Sequence, residues 1–351
     1  MQPTPPAQPG HLVVITGGSG FVGAHCIVAA LAAGYRVRTT VRSLDRSAAV
    51  RALVEQGGAD ASGLEFAEAN LLADDGWRAA FEGARSVLHV ASPFPARQPK
   101  NPDDVIVPAR DGALRALRAA RAAGVERVVL TSSFAAVGYG GEHPGRPFTE
   151  ADWTDGTNTR LSPYVRSKAI AERAAWDFIA EHGGVELATV NPVGIFGPVL
   201  GRDLSASVEL LLALLNGAIP AVPNGSASGV DVRDVADLHL RAMVHPDAAG
   251  HRFLAVSGDP FTFPELAALL RDRLGDAAAR VPRTVLPNWL ARALAPFSAD
   301  LRSVVTELGH PRSVSADQAR TLLGWDPRPR DEAILASVAS LRDLGMLRAG
   351  A

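Results

Sequence analysis

Residues 11 to 23 read HLVVITGGSGFVG, a run of β-branched and apolar residues that ends in glycines. Such a run, bounded by a turn signal, predicts a buried strand entering a tight turn. Residues 21 to 34, FVGAHCIVAALAAG, are rich in alanine and stop at Gly34, which predicts a helix. Gly18, Gly20 and Gly23 satisfy the spacing G-x-G-x-x-G, while Gly17, Gly20 and Gly23 also recur every third residue. Either reading meets the same need: a tight turn, a backbone that lets a pyrophosphate come close, and a helix N-terminus whose N–H groups hold the anion. Glycines also make plain turns, so the weight comes from the strand before and the helix after.

The alternation continues outward from this loop. RVRTTV (36 to 41) reads as a second strand, followed by a helix around 45 to 57, a short strand at LEFAEA and a helix around 75 to 82. SVLHVAS (86 to 92) reads as a strand, 103 to 123 as a long helix and RVVLTSS (127 to 133) as a strand. A loop rich in Gly and Pro (138 to 163) leads to a helix beginning at Ser162-Pro163, and VELATVNPV (185 to 193) is the next strand. This rhythm predicts an α/β fold with a doubly wound parallel sheet of the Rossmann type.

After Pro192 the rhythm breaks. Residues 194 to 229 carry many Gly and Pro around one apolar helix, whereas 229 to 244 and 251 to 258 return to the strand-helix pattern. The expected organisation is a cofactor-binding domain from 11–193 plus 230–256. A smaller, mostly helical substrate lobe takes 194–229 plus 257–351. Residues 1–10, polar and proline-rich, read as a disordered tail.

The whole composition fits an ordinary globular protein: 47% hydrophobic, 21% charged and a net charge of −2 with the signs interspersed. Nothing in it suggests a nucleic acid or membrane partner. One cysteine, Cys26, excludes an intramolecular disulfide and a cysteine-based zinc site, and no histidine pair has ligand spacing, so no metal is expected. The N-terminus has no basic start and no apolar core of a signal peptide, and VELLLALL (208 to 215) is too short for a bilayer, which points to the cytoplasm.

Two further patterns bear on chemistry. The second strand runs into TTVRSLDR, placing Arg42 where an NAD site wants a carboxylate and Arg46 one turn further on. A guanidinium suits a ribose 2′-phosphate through charge-assisted hydrogen bonds, so the expected cofactor is NADP(H). In SPYVRSK (162 to 168), Tyr164 and Lys168 stand four apart, straight after an N-cap serine and a proline that define where the helix starts. Thr131, Ser132 and Ser133 lie at the carboxyl end of a strand, the edge where open α/β sheets bind ligands. A phenol, an ammonium and a serine there fit carbonyl reduction. The phenol protonates the carbonyl oxygen, the ammonium lowers the phenol's pKa and the serine holds the oxygen. A serine-nucleophile hydrolase is the competing chemistry, but G-x-S-x-G is not found around Ser133.

Taken in order, TGGSGFVG, TVRSLDR, VLHVASPF, RVVLTSSFAAV, YVRSK, NPVGIFGP and DVRDVADLHL resemble an extended short-chain dehydrogenase/reductase. The branch is the one with dihydroflavonol 4-reductase, cinnamoyl-CoA reductase and the yeast methylglyoxal/aldehyde reductase. The resemblance runs from residue 16 to about 240, and LLGWDPRP near the C-terminus is similar as well. It implies a triad of Ser133, Tyr164 and Lys168. It implies pyrophosphate contacts at Gly17, Gly20, Phe21, Val22 and Gly23, and 2′-phosphate contacts at Arg42 and Arg46. Ala91, Ser92, Pro93 and Thr131 would pass beside the cofactor, with Pro192 and Val193 near the nicotinamide. The chain departs from the family at Asn70-Leu71, where an Asp usually precedes the hydrophobic residue. Asn can still accept from the adenine amino group, so adenine recognition is expected to be altered rather than lost.

Candidate pocket residues are Phe94, Phe134, Val137, Tyr139, Val193, Phe196 and Pro223, each of which could equally be core. Mostly apolar, they suit an aryl or alkyl ketone or aldehyde better than a sugar nucleotide. The expected function is therefore NADPH-dependent reduction of aldehydes or ketones, run by a monomer or homodimer. The alternatives are a nucleotide-sugar epimerase or dehydratase, a hydroxysteroid-type dehydrogenase and a non-catalytic NADP(H) sensor.

Overall fold

The computed structural model describes residues 10–93, 101–141, 145–295, 308 and 311–348. Strands and helices alternate as β1 (Leu12–Thr16), α1 (Phe21–Ala32), β2 (Arg36–Val41), α2 (Ser47–Gln56), β3 (Glu65–Glu68), α3 (Trp77–Phe81), β4 (Ser86–His89), α4 (Asp103–Ala122), β5 (Arg127–Thr131), α5 (Pro163–His182) and β6 (Glu186–Pro192). Then come β7 (Gly194–Phe196), α6 (Ala206–Leu215), β8 (Val222–Pro223), β9 (Ser226–Ala227), β10 (Gly229–Asp231), α7 (Val232–Val244) and β11 (Arg252–Ala255). The main sheet has seven strands in the order β11-β6-β5-β4-β1-β2-β3, and every neighbouring pair is parallel. All five residues of β1 are buried, as a parallel strand covered on both faces requires.

Two apolar layers sandwich that sheet. One packs Val13, Ile15 and Val129 against Cys26 and Ile27 of α1 and Val235 and Leu238 of α7. The other packs Leu12, Val14 and Val128 against Trp77 and Phe81 of α3, Ala116 and Leu117 of α4 and Phe178 of α5. The strand order reverses between β1, which pairs with β2, and β4, which pairs with β1 from the other side. Ligands of doubly wound sheets bind outside the carboxyl ends of the strands at such a reversal.

Two strands end earlier than the hydrophobic runs suggest. β4 stops at His89 and β5 at Thr131, so Ala91 to Pro93 and Ser132 to Ser133 leave the sheet and form its upper rim. Residues after Pro192 build a third apolar cluster in which Phe196, Leu211, Leu214 and Leu215 meet Phe261, Leu266, Leu270 and Ile334. Its short pairings, β7 with β10 and β9 with Phe261–Thr262, bring it beside the end of β6. Among the described residues no helix is long and apolar enough to cross a membrane.

Candidate functional site

The glycine loop is shaped by what each glycine touches. Gly17 has φ of +74°, and a Cβ on it would stand 2.9 Å from the Ala91 Cα. A Cβ on Gly18 would fall 2.2 Å from the Thr39 hydroxyl, and one on Gly23 would fall 2.2 Å from the Gly17 carbonyl oxygen. These three glycines let backbone and helix close on each other. Gly20 is different, because its Cβ would meet only the Gly17 oxygen, at 3.4 Å. It is the N-cap of α1, with no side-chain cap bond and no acid in the first turn. The Gly20 N–H closes the turn on the Gly17 carbonyl at 3.0 Å, so the uncapped positive end of α1 offers an anion a cradle, the N–H groups of Phe21 and Val22. The chain fits a pyrophosphate.

Arg42 follows the last residue of β2 and Arg46 precedes α2, and both side chains are exposed. Asp45 between them turns its carboxylate to the Ser43 hydroxyl, 3.1 Å away. Among the described residues neither guanidinium is ion-paired. Asn70 uses its side-chain oxygen to accept from the Leu72 N–H at 3.1 Å, while its carbonyl takes the Trp77 indole N–H at 3.0 Å. One lone pair and the amide N–H₂ of Asn70 are left over from that turn. Leu71 packs on α4, where a Cβ on Gly112 would meet it at 2.7 Å.

On the other side of the sheet's reversal, α5 starts as its first residues dictate. Ser162 accepts from the Val165 N–H at 3.3 Å, and Pro163 occupies the first turn. Tyr164 and Lys168 therefore project from one face in the first two turns. Ser133 accepts from the Ala135 N–H at 3.1 Å and is hydrogen-bonded to the Tyr164 phenol. Its neighbour Ser132 points the other way and donates to Glu172 at 2.5 Å. Of the two serines, the second faces the tyrosine.

Lys168 is buried, and its Nζ donates to the Ser92 hydroxyl at 3.1 Å. Burial pulls the ammonium down to about 8, and the Glu172 carboxylate works against that fall. His89 lies beneath, bonded to the Thr16 hydroxyl at 3.0 Å. Burial and the nearby Lys168 charge hold it neutral, down to about 3. The sequence leads one to expect that Lys168 lowers the phenol. In the structure burial raises Tyr164, and the group that pulls it back down is the Ser133 hydroxyl. The reason is geometric: the ammonium is turned to Ser92.

Other expected contacts fall as follows. Ala91 donates its N–H to Thr16 at 3.0 Å and presses on Gly17, so it and Ser92 do lie at the loop. The Thr131 hydroxyl is engaged inside the fold, 2.7 Å from Nε2 of His239, whose Nδ1 is bound to the Val235 carbonyl. With Nδ1 donating, Nε2 accepts, and the Thr131 proton is directed away from the rim. Val193 donates its N–H to Ala255 at 3.2 Å just past the end of β6. Three expected pocket residues are core instead. Phe134 and Val137 pack with Phe148 and Leu254, and Phe196 packs in the third apolar cluster at 6.1 Å from the Phe261 ring. Tyr139 and Pro223 are partly exposed, and Phe94 lies outside the described residues. Glu172, Asn191 and Arg252, unnoticed in the sequence, are the main polar groups under the site. Continuing the spacing from Tyr164 and Lys168 by one more turn would have found Glu172.

Residues 13–255 match the NAD dependent epimerase/dehydratase family. Cinnamoyl-CoA reductase CAD2 of Medicago truncatula is 37% identical over 255 residues, covering 70% of this chain and 76% of the relative. Dihydroflavonol 4-reductase of Zea mays is 35% identical over 271 residues, 74% of each chain. Among solved structures, yeast methylglyoxal/isovaleraldehyde reductase Gre2 complexed with NADPH superposes with a TM-score of 0.79 at 26% identity, covering 96% of this chain and 100% of that one.

Proposed function

The chain belongs to the NAD dependent epimerase/dehydratase family, and on that footing we propose that it is an NADPH-dependent reductase of aldehydes or ketones, reversible as an alcohol dehydrogenase. The observation that carries this reading is the bonded Ser133–Tyr164 pair, with Lys168 one turn along, at the same sheet edge as the open glycine loop. Relatives named as cinnamoyl-CoA, dihydroflavonol and methylglyoxal reductases support it, and they share a carbonyl as the reacting group.

In this reading the backbone at Gly17, Gly20, Phe21, Val22 and Gly23 holds the pyrophosphate, and Arg42 with Arg46 holds the 2′-phosphate. Asn70 and Leu71 would take the adenine. Ala91, Ser92, Pro93, Pro192 and Val193 flank the remainder of the dinucleotide. When bound, NADPH supplies the hydride that reaches the carbonyl carbon. Tyr164, protonated at neutral pH as an ordinary phenol is, gives its proton to the carbonyl oxygen, so that carbonyl, hydride and proton make the alcohol. Ser133 donates to the same oxygen and fixes its distance from the phenol. Lys168, whose ammonium is bonded to Ser92 rather than to the phenol, keeps a positive charge at the site through the step, and solvent reprotonates the phenolate left behind. The segments 194–229 and 257–351 supply the substrate side and 11–193 with 230–256 the cofactor side, inside a cytoplasmic enzyme.

The test is turnover of an aldehyde and aryl-ketone panel with NADPH and with NADH, by wild type and Tyr164→Phe. NADPH consumption that Tyr164→Phe abolishes supports the reductase. Tight NADPH binding without turnover of any carbonyl sinks it in favour of a sensor.

A further inference from the structure

Tyr164, Lys168 and Glu172 are spaced four apart along α5, so a third ionisable side chain continues the same face one turn deeper. The Glu172 side chain has no solvent exposure. A carboxylate is expensive to bury unless its oxygens are paired, and here both are crowded with donors. Ser132 Oγ and Asn191 Nδ2 donate to Oε2 at 2.5 and 2.7 Å. Arg252 Nε donates to Oε1 at 2.7 Å, with the Thr189 hydroxyl at 3.1 Å and the Trp176 indole N–H at 3.4 Å. Arg252 is itself fixed, donating to the Glu150 and Asp152 carbonyls at 2.7 Å and lying 3.6 Å over the Trp153 ring.

These partners sit on three different strands: Ser132 just past β5, Thr189 and Asn191 on β6, Arg252 on β11. Asn191 Nδ2 also donates to the Ser133 carbonyl at 3.2 Å. One carboxylate therefore fastens the helix that carries Tyr164 and Lys168 to the strand end that carries Ser133. Between Lys168 and Glu172 lies a cavity of about 20 Å³, also lined by His89, Ser92 and Ser132, with room for a single water among polar groups.

We propose that Glu172 is a positioning residue for carbonyl reduction, a buried anion that sets Ser133 against Tyr164 and sustains the charge on Lys168. The inference rests on the reductase reading above. It gives Glu172 two separable duties, geometric and electrostatic. Among the described residues the groups that face Lys168 are few: Tyr164 and Glu172 on α5, neutral His89 on β4, Ser92, and Arg252 of β11 across the carboxylate, while α4 presents only Ala109 and Ala113. Among them Glu172 is the anion that holds the ammonium up against burial, so losing its charge lets Lys168 shed its proton at lower pH.

The experiment is the pH profile of kcat/KM for NADPH, which reports on the free enzyme, with kcat measured alongside. Glu172→Gln should move the alkaline limb down by on the order of one pH unit and lower kcat about ten-fold, with KM for NADPH changed by less than about two-fold. Glu172→Asp keeps the charge on a shorter arm, so it should leave the limb at the wild-type pH and lower kcat. A Glu172→Gln limb that does not move overturns the proposal, and so does an unchanged kcat in that variant. If Glu172→Gln fails to fold because Arg252 is left unpaired, Ser132→Ala takes its place. It frees one carboxylate lone pair but keeps the charge, and should lower kcat about three-fold or more with the limb fixed, an unchanged kcat being contrary. Turnover that survives in Tyr164→Phe would strike the reductase reading itself. Turnover that needs Tyr164 but ignores Glu172→Gln would strike this inference alone.

Discussion

Exchanging Gly20 for alanine separates the cofactor's demands on the glycine loop from those of the fold. The native φ of −84° and ψ of 163° are open to alanine, and the added methyl meets one atom, the Gly17 oxygen at an ordinary 3.4 Å. Losing glycine from an N-cap costs up to about 1 kcal/mol, and the stiffer unfolded chain returns about 0.4–1 kcal/mol. Stability should therefore hold within about 1 kcal/mol, and Tm within about 3 °C. Binding fares otherwise, because the methyl stands at the mouth of α1 where an anion must approach the N–H groups of Phe21 and Val22. Pushing two charge-assisted hydrogen bonds out of reach, at about 1.5–3 kcal/mol each, should weaken NADPH binding about 100-fold or more. The contrasting variant is Gly23→Ala, whose Cβ would stand 2.2 Å from the Gly17 oxygen and 2.8 Å from its carbon, so backbone must move and the fold itself should lose several kcal/mol. Thermal melts and fluorescence titration with NADPH read both outcomes. Gly20→Ala binding NADPH within about three-fold of wild type would refute the cradle.

Three other outcomes are expected. Arg42→Ala should raise the KM for NADPH about ten-fold or more and leave NADH nearly unaffected, since the exposed guanidinium would meet only the 2′-phosphate; equal effects on both cofactors would count against it. Ser162→Ala removes the N-cap bond to Val165, should cost about 1 kcal/mol in chemical denaturation, and should reduce kcat more than KM because the start of α5 aims Tyr164. Stability should fall as pH drops from about 6.5 toward 4. His89 and His239 have folded pKa values depressed to about 3 and about 4, so in that window the unfolded chain takes up protons the folded chain refuses. Asp234, raised to about 6 by burial, takes up its proton in the folded state first and works the other way. Two histidines outweigh one aspartate, leaving a net loss of about 2 kcal/mol between about pH 7 and about pH 5; urea denaturation that finds no loss would contradict the assignment.

Much of the sheet was legible because its central strands are buried on both faces and read as short apolar runs, LVVI of β1 and VVL of β5 among them. The loop and the Tyr164–Lys168 spacing were legible because local chemistry fixes them: glycine where backbones touch, serine and proline where a helix begins. Which way a side chain turns is harder to read. Phe134, Val137 and Phe196 look like pocket residues in a list of apolar positions, yet they are buried, the first two against Phe148 and Leu254 and the third against Phe261. Spacing likewise puts Lys168 near the phenol but does not say which hydroxyl its Nζ meets, which in the structure is that of Ser92. The spacing along α5 reaches Glu172, but not its role, because its partners lie just past β5 and on β6 and β11, far apart in sequence.

The central claim is net hydride transfer from NADPH to a carbonyl with Tyr164 as the proton source. It is tested most directly by supplying NADPH carrying deuterium at both C4 positions of the nicotinamide and analysing the alcohol by mass spectrometry. The account predicts one deuterium on the carbinol carbon for each NADPH consumed, and no product above background from Tyr164→Phe. A converted substrate that carries no deuterium while NADPH is left unconsumed, as an epimerase or dehydratase would give, contradicts it.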